Sequence, residues 1–143
     1  MSTDHCWISL TPAPNKILNL VRFNSSRFMV GTVSDIHLYD TKTNNWNLMK
    51  INEQINASSM CYDPILNKLL TISSNHSSSN SNMNIIDVTS ATTKKCGVYE
   101  MYAPRIICVN STFHILDGYG QNGNNHYIWD NDTDRLQHIH KFC

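Results

Sequence analysis

Tyr39-Asp40-Thr41-Lys42-Thr43-Asn44-Asn45-Trp46 is the stretch on which the fold turns. An aspartate that closes an apolar run can accept backbone N–H groups two or three residues ahead, and a threonine can do the same, so this segment reverses the chain. Ile36-His37-Leu38-Tyr39 precedes the turn and Trp46-Asn47-Leu48-Met49 follows it; both read as short strands. Working outward, Arg27-Phe28-Met29-Val30-Gly31 is a further strand, and Ile17 to Phe23 is another, separated from it by Asn24-Ser25-Ser26. These four apolar segments, bounded by turn residues, form one unit with strands a, b, c and d.

The unit recurs. Lys68 to Ser73, Asn84-Ile85-Ile86-Asp87 and Cys96-Gly97-Val98-Tyr99 follow Ser58 to Tyr62 and the turn Asp63-Pro64. Thr112 to Gly118, His126-Tyr127-Ile128-Trp129-Asp130 and the stretch around Thr133 and Leu136 follow Arg105 to Val109 and Asn110-Ser111. Asp40, Asp87 and Asp130 mark the same phase at steps of 47 and 43 residues. A period of roughly 40–50 residues built of four strands is that of a propeller blade. No 3.6-residue periodicity competes with it. Trp7-Ile8-Ser9-Leu10 resembles the d strand at Trp46 and reads as a lone outer strand. The expected architecture is therefore all-β: a partial β-propeller of about three four-stranded antiparallel blades plus one N-terminal strand. Its divisions are 1–16 (outer strand and proline linker), 17–56, 57–103 and 104–143 (blades one to three).

Composition agrees and excludes other classes. Only 15% of the residues are charged and the formal net charge is zero, so no basic stripe offers itself to nucleic acid. No apolar run is long enough for a membrane helix, and the N-terminus has no signal-peptide character. Five cysteines without a CxxC point to reduced thiols. A cytoplasmic protein without a cofactor is expected.

Tyr39 to Trp46 resembles the turn between the third and fourth strands of the kelch repeat, and Trp129-Asp130-Asn131-Asp132-Thr133 is similar to the same turn. The paired glycines that kelch repeats place after strand b are degraded here to Gly31-Thr32, Ser73-Ser74 and Asp117-Gly118. In this scheme the aromatic on strand d covers a neighbouring blade. WD-repeat blades fit less well, because Trp129-Asp130 falls one strand too early. The resemblance implies a non-catalytic protein–protein interaction module, a scaffold or adaptor whose b–c and d–a loops meet a protein or peptide partner. It places Tyr119, Gln121, Asn124 and Asn125 among the contact residues. The alternative is a fragment of a propeller enzyme of the galactose-oxidase-like or hydrolase type.

Propellers close with about 4–8 blades. Three blades leave two blade faces open, to be met by further blades of a longer chain or by a second copy. His126, His138, His140 and Cys143 form a weak zinc pattern, with His138 and His140 expected on one side of a strand; the reading is that they hold no metal. No nucleophile elbow, phosphate loop or HExxH is present.

Overall fold

The structure, a computed structural model, describes residues 10–74, 80–117, 125–131 and 133–141. Among these, twelve strands and no helix occur. They form three four-stranded antiparallel sheets in simple meander order. The first holds β1 (Ile17–Arg22), β2 (Arg27–Thr32), β3 (Ile36–Asp40) and β4 (Asn45–Leu48). The second holds β5 (Ser59–Asp63), β6 (Lys68–Ser74), β7 (Asn80–Asp87) and β8 (Thr92–Glu100). The third holds β9 (Arg105–Val109), β10 (Thr112–Asp117), β11 (Asn125–Asp130) and β12 (Arg135–Lys141). The first strands of successive sheets meet, β1 against β5 and β5 against β9, so the sheets stack as blades. The expected N-terminal strand lies outside the described residues except for Leu10, which is not in a strand.

The aspartate turns do what their chemistry predicts. Asp40 Oδ1 accepts the N–H groups of Lys42 and Thr43 at 2.9 and 3.2 Å. Asp87 accepts that of Ser90 at 2.9 Å, and Asp130 that of Thr133 at 3.3 Å. Four residues after each aspartate the chain enters the left-handed region, at Asn44, Ala91 and Asp134, with φ of 54–55°. The a–b turn of the second blade repeats the device: Asp63 accepts from Ile65 and Leu66, and Asn67 has φ 53°.

Side-chain alternation along each strand builds two cores rather than one. Leu69 and Ile86 pack with Met29, Ile36 and Met60 between blades one and two. Their neighbours Leu70 and Ile85 point the other way and pack with Ile72, Phe113, Ile115 and Trp129 between blades two and three. The doublets Leu69-Leu70 and Ile85-Ile86 thus mark a sheet covered on both faces. Blade three alternates instead: β10 buries Phe113, Ile115 and Asp117 and leaves the residues between them half-exposed. On its open side Ile107 and Val109 are 49% and 47% exposed.

Two expectations change. Among the described residues Trp46 packs in its own sheet and not on a neighbouring blade: its ring lies 4.6 Å from that of Tyr39, and its Nε1 donates to the Thr11 carbonyl at 2.9 Å. A Trp directly opposite a Tyr on paired strands finds its nearest apolar surface there. The open face of blade one is in turn only partly bare, since Val30 and Tyr39 are buried while Leu20 and Leu48 are exposed.

Candidate functional site: two repeated interblade clefts

Meander order puts the b–c and d–a connections at one end of every blade. Two clefts open there at equivalent places. The cleft between blades one and two, about 370 Å³, is lined by the connection Glu53 to Asn56 together with Asn82, Asn84 and Lys95. The cleft between blades two and three, about 440 Å³, is lined by Tyr99 to Tyr102 together with Asp117, Asn125 and Tyr127. The strand registers match: Ser73 opposes Asn82 as Asp117 opposes Asn125, and Thr71 opposes Asn84 as Ile115 opposes Tyr127. The repeat that sets the blades therefore sets the clefts, and their chemistry differs only through the side chains.

In the first cleft, Asn84 is 8% exposed, and its carboxamide has no hydrogen-bond partner among the described residues. Directly opposite it the Thr71 hydroxyl is fully buried and also without a partner. Leaving a buried hydroxyl such as that of Thr71 unpaired costs about 1–3 kcal/mol. Lys95 and Glu53 meet at 3.5 Å across the cleft and neutralise one another. Close approach of the connection requires a glycine: a Cβ at Gly31 would stand 2.7 Å from the Ala57 Cβ and 2.8 Å from its carbonyl oxygen.

In the second cleft the carboxylate of Asp117 is 3% exposed. It accepts the Tyr102 N–H at 2.8 Å. Burial pushes its pKa up, against the opposing pull of that hydrogen bond. Burial likewise raises the phenol of Tyr127, helped by the charge of Asp117. Tyr99 donates to the Cys96 carbonyl at 3.1 Å, beside Gly97, whose φ of 138° belongs to glycine.

Of the contact residues expected from sequence, Tyr119, Gln121 and Asn124 lie outside the described residues. Asn125 lines the second cleft, where its Oδ1 lies 3.2 Å from His138 Nε2. His126 is drawn to His114, with Nδ1 of His114 and Nε2 of His126 2.9 Å apart and the rings stacked. His138 pairs in register with Tyr127 and His140 with His126, across a register shift. Cys143 lies outside the described residues, and among those described no three His, Cys, Asp or Glu side chains converge on a metal-sized site. Sequence reasoning missed Asn84 and Asp117. Asn84 was visible as a polar break in Met83-Asn84-Ile85-Ile86, and Asp117 as a carboxylate ending an apolar strand.

No protein-family model and no curated protein matches the sequence. Solved structures do resemble the fold. TolB from Acinetobacter baumannii has a TM-score of 0.60 and 11% identity over 80% of this chain. The N-terminal domain of Nup159 has a TM-score of 0.56 and 12% identity over 98%. The β-propeller domain of the trilobed protease from Pyrococcus furiosus, described as having an open velcro topology, has a TM-score of 0.54 and 13% identity over 91%. The fold is thus of the β-propeller kind. The chain spans 29%, 35% and 46% of the lengths of these three proteins.

Proposed function

We propose that the chain is a kelch-type, non-catalytic protein-interaction module of the cytoplasm, and that a peptide segment of its partner seats on the face carrying the b–c and d–a connections. The observation that carries this reading is Asn84, a carboxamide 8% exposed, unpartnered, and lining a cleft on that face. A carboxamide offers one acceptor and two donors, the complement of a peptide group. A carboxamide that lines a cleft and makes no hydrogen bond to a described residue is available to a ligand. The aspartate turns support the kelch comparison, because they fix the opposite end of each blade and leave this end free to vary. Similar folds are known with bound protein: Nup159 has been solved in a complex with dbp5 and gle1. The open face of blade three, with Ile107 and Val109 exposed, suits a further blade from a longer chain or a second copy.

Peptide selection on the immobilised protein tests the reading, followed by affinity measurement on Asn84→Leu. Selected peptides are expected to bind the variant about tenfold more weakly, while its melting temperature stays level or rises. A selection that enriches nothing, or peptides that bind Asn84→Leu unchanged, would count against it.

A further inference from the structure

We infer that the cleft between blades two and three takes a basic side chain, an arginine or a lysine, from a peptide partner. The inference rests on the reading of this face as peptide-binding and adds the chemistry of one contact.

Asp117 is the first ground. Its carboxylate is 3% exposed, yet no Lys, Arg or His forms an ion pair with it among the described residues. Buried charges are ordinarily paired with a counter-charge. Oδ1 is engaged by the Tyr102 N–H, and no donor among the described residues reaches Oδ2. The aromatic wall is the second ground. Tyr99, Tyr102 and Tyr127 line the same cleft, and Glu100 adds a second acid at the exposed rim. Phenol faces attract cations and stack on guanidinium planes. Among the described residues no Lys or Arg lines the cleft.

Comparison with the sister cleft sharpens the choice. Where blade three has Asp117 and Tyr127, blade two has Ser73 and Asn84, and a lysine stands at that cleft's wall. The same backbone geometry is therefore neutral in one cleft and acidic and aromatic in the other. A volume of about 440 Å³ accommodates an extended basic side chain.

The test uses the whole chain and pools of capped short peptides, identical except for a central arginine, lysine, citrulline or norleucine. The arginine and lysine pools are expected to bind about tenfold or more tightly than the citrulline and norleucine pools. Asp117→Asn, whose amide oxygen can still accept the Tyr102 N–H, should abolish that preference. Tyr102→Leu, which keeps the backbone N–H and removes an exposed ring, should reduce it, and a folded melting transition must accompany each variant. Equal binding of the arginine and citrulline pools, or a preference that survives in Asp117→Asn, would overturn the inference and leave the peptide-binding reading intact. Failure of every pool to bind would overturn both.

Discussion

Asp117 accepts the backbone N–H of Tyr102 at 2.8 Å, so a carboxylate at the end of β10 holds the connection that leads into its own blade. The bond shapes a cleft wall and also leaves a charge in a poorly solvated place.

That charge makes stability depend on pH. The pKa of Asp117 is raised above its ordinary 3.8, chiefly by burial. The folded state therefore binds the proton more tightly than the unfolded state, and this contribution is lost as pH rises from the ordinary value through the raised one. Asp117→Asn lacks it. Urea unfolding from pH 4 to 7 should show the wild type losing stability relative to Asp117→Asn as pH goes up; a constant difference would contradict the assignment.

Asp40 behaves in the opposite sense. The Arg27 side chain, 2.9 Å away, holds its carboxyl below the ordinary value, and the Thr43 and Lys42 N–H groups add to the effect. Its contribution is present above 3.8 and lost as pH falls. Melting temperatures at neutral pH should fall in the order wild type, Asp40→Asn, Asp40→Ala, because the amide keeps the turn acceptor and loses only the ion pair. Added salt should narrow the first gap, since Arg27 is half-exposed.

Ala91 occupies the left-handed turn position that Asn44 holds in blade one, with the same φ of 55°. Alanine is strained there and asparagine much less so. Ala91→Asn should stabilise the chain by about 0.5–1 kcal/mol, read by denaturant unfolding, whereas Asn44→Ala should destabilise it.

Gly31 lies against the connection that forms the first cleft. A methyl group there would stand 2.8 Å from the Ala57 carbonyl oxygen, which belongs to the backbone. Gly31→Ala should cost about 1–3 kcal/mol and weaken peptides seated in that cleft. Ala57→Gly should restore only part of the loss, because the carbonyl remains.

Burial pushes the thiols of Cys61 and Cys96 up to about 11. Thiolate is the reactive form, so alkylation at pH 8 should be far slower at both than at a free cysteine, and unfolding in urea should remove the difference. Prompt labelling of Cys96 in the native state would show that its strand is not packed as described.

The blades were legible because their turns are local. Asp40, Asp87 and Asp130 signal at a fixed phase, and the apolar runs between them are short and bounded. The doublets Leu69-Leu70 and Ile85-Ile86 already held the information that blade two is covered on both faces. The clefts were less legible, since they form where a connection from one blade meets strand ends of the next, and that meeting depends on how blades stack. Loop length drew attention to Tyr119 through Asn125, yet the buried polar groups that face a cleft, Asn84 and Asp117, sit inside strands. Likewise the register shift between His126 and Tyr127 follows from pairing and leaves no mark in spacing.

Amide hydrogen exchange with and without a selected peptide tests the account most directly. Binding should slow exchange in the connections 51–56 and 99–102, the walls of the two clefts, and leave the aspartate turns at 40–45 and 87–92 unchanged at the other end of the blades. Protection that appears at the aspartate turns, with the cleft walls unaffected, would contradict it.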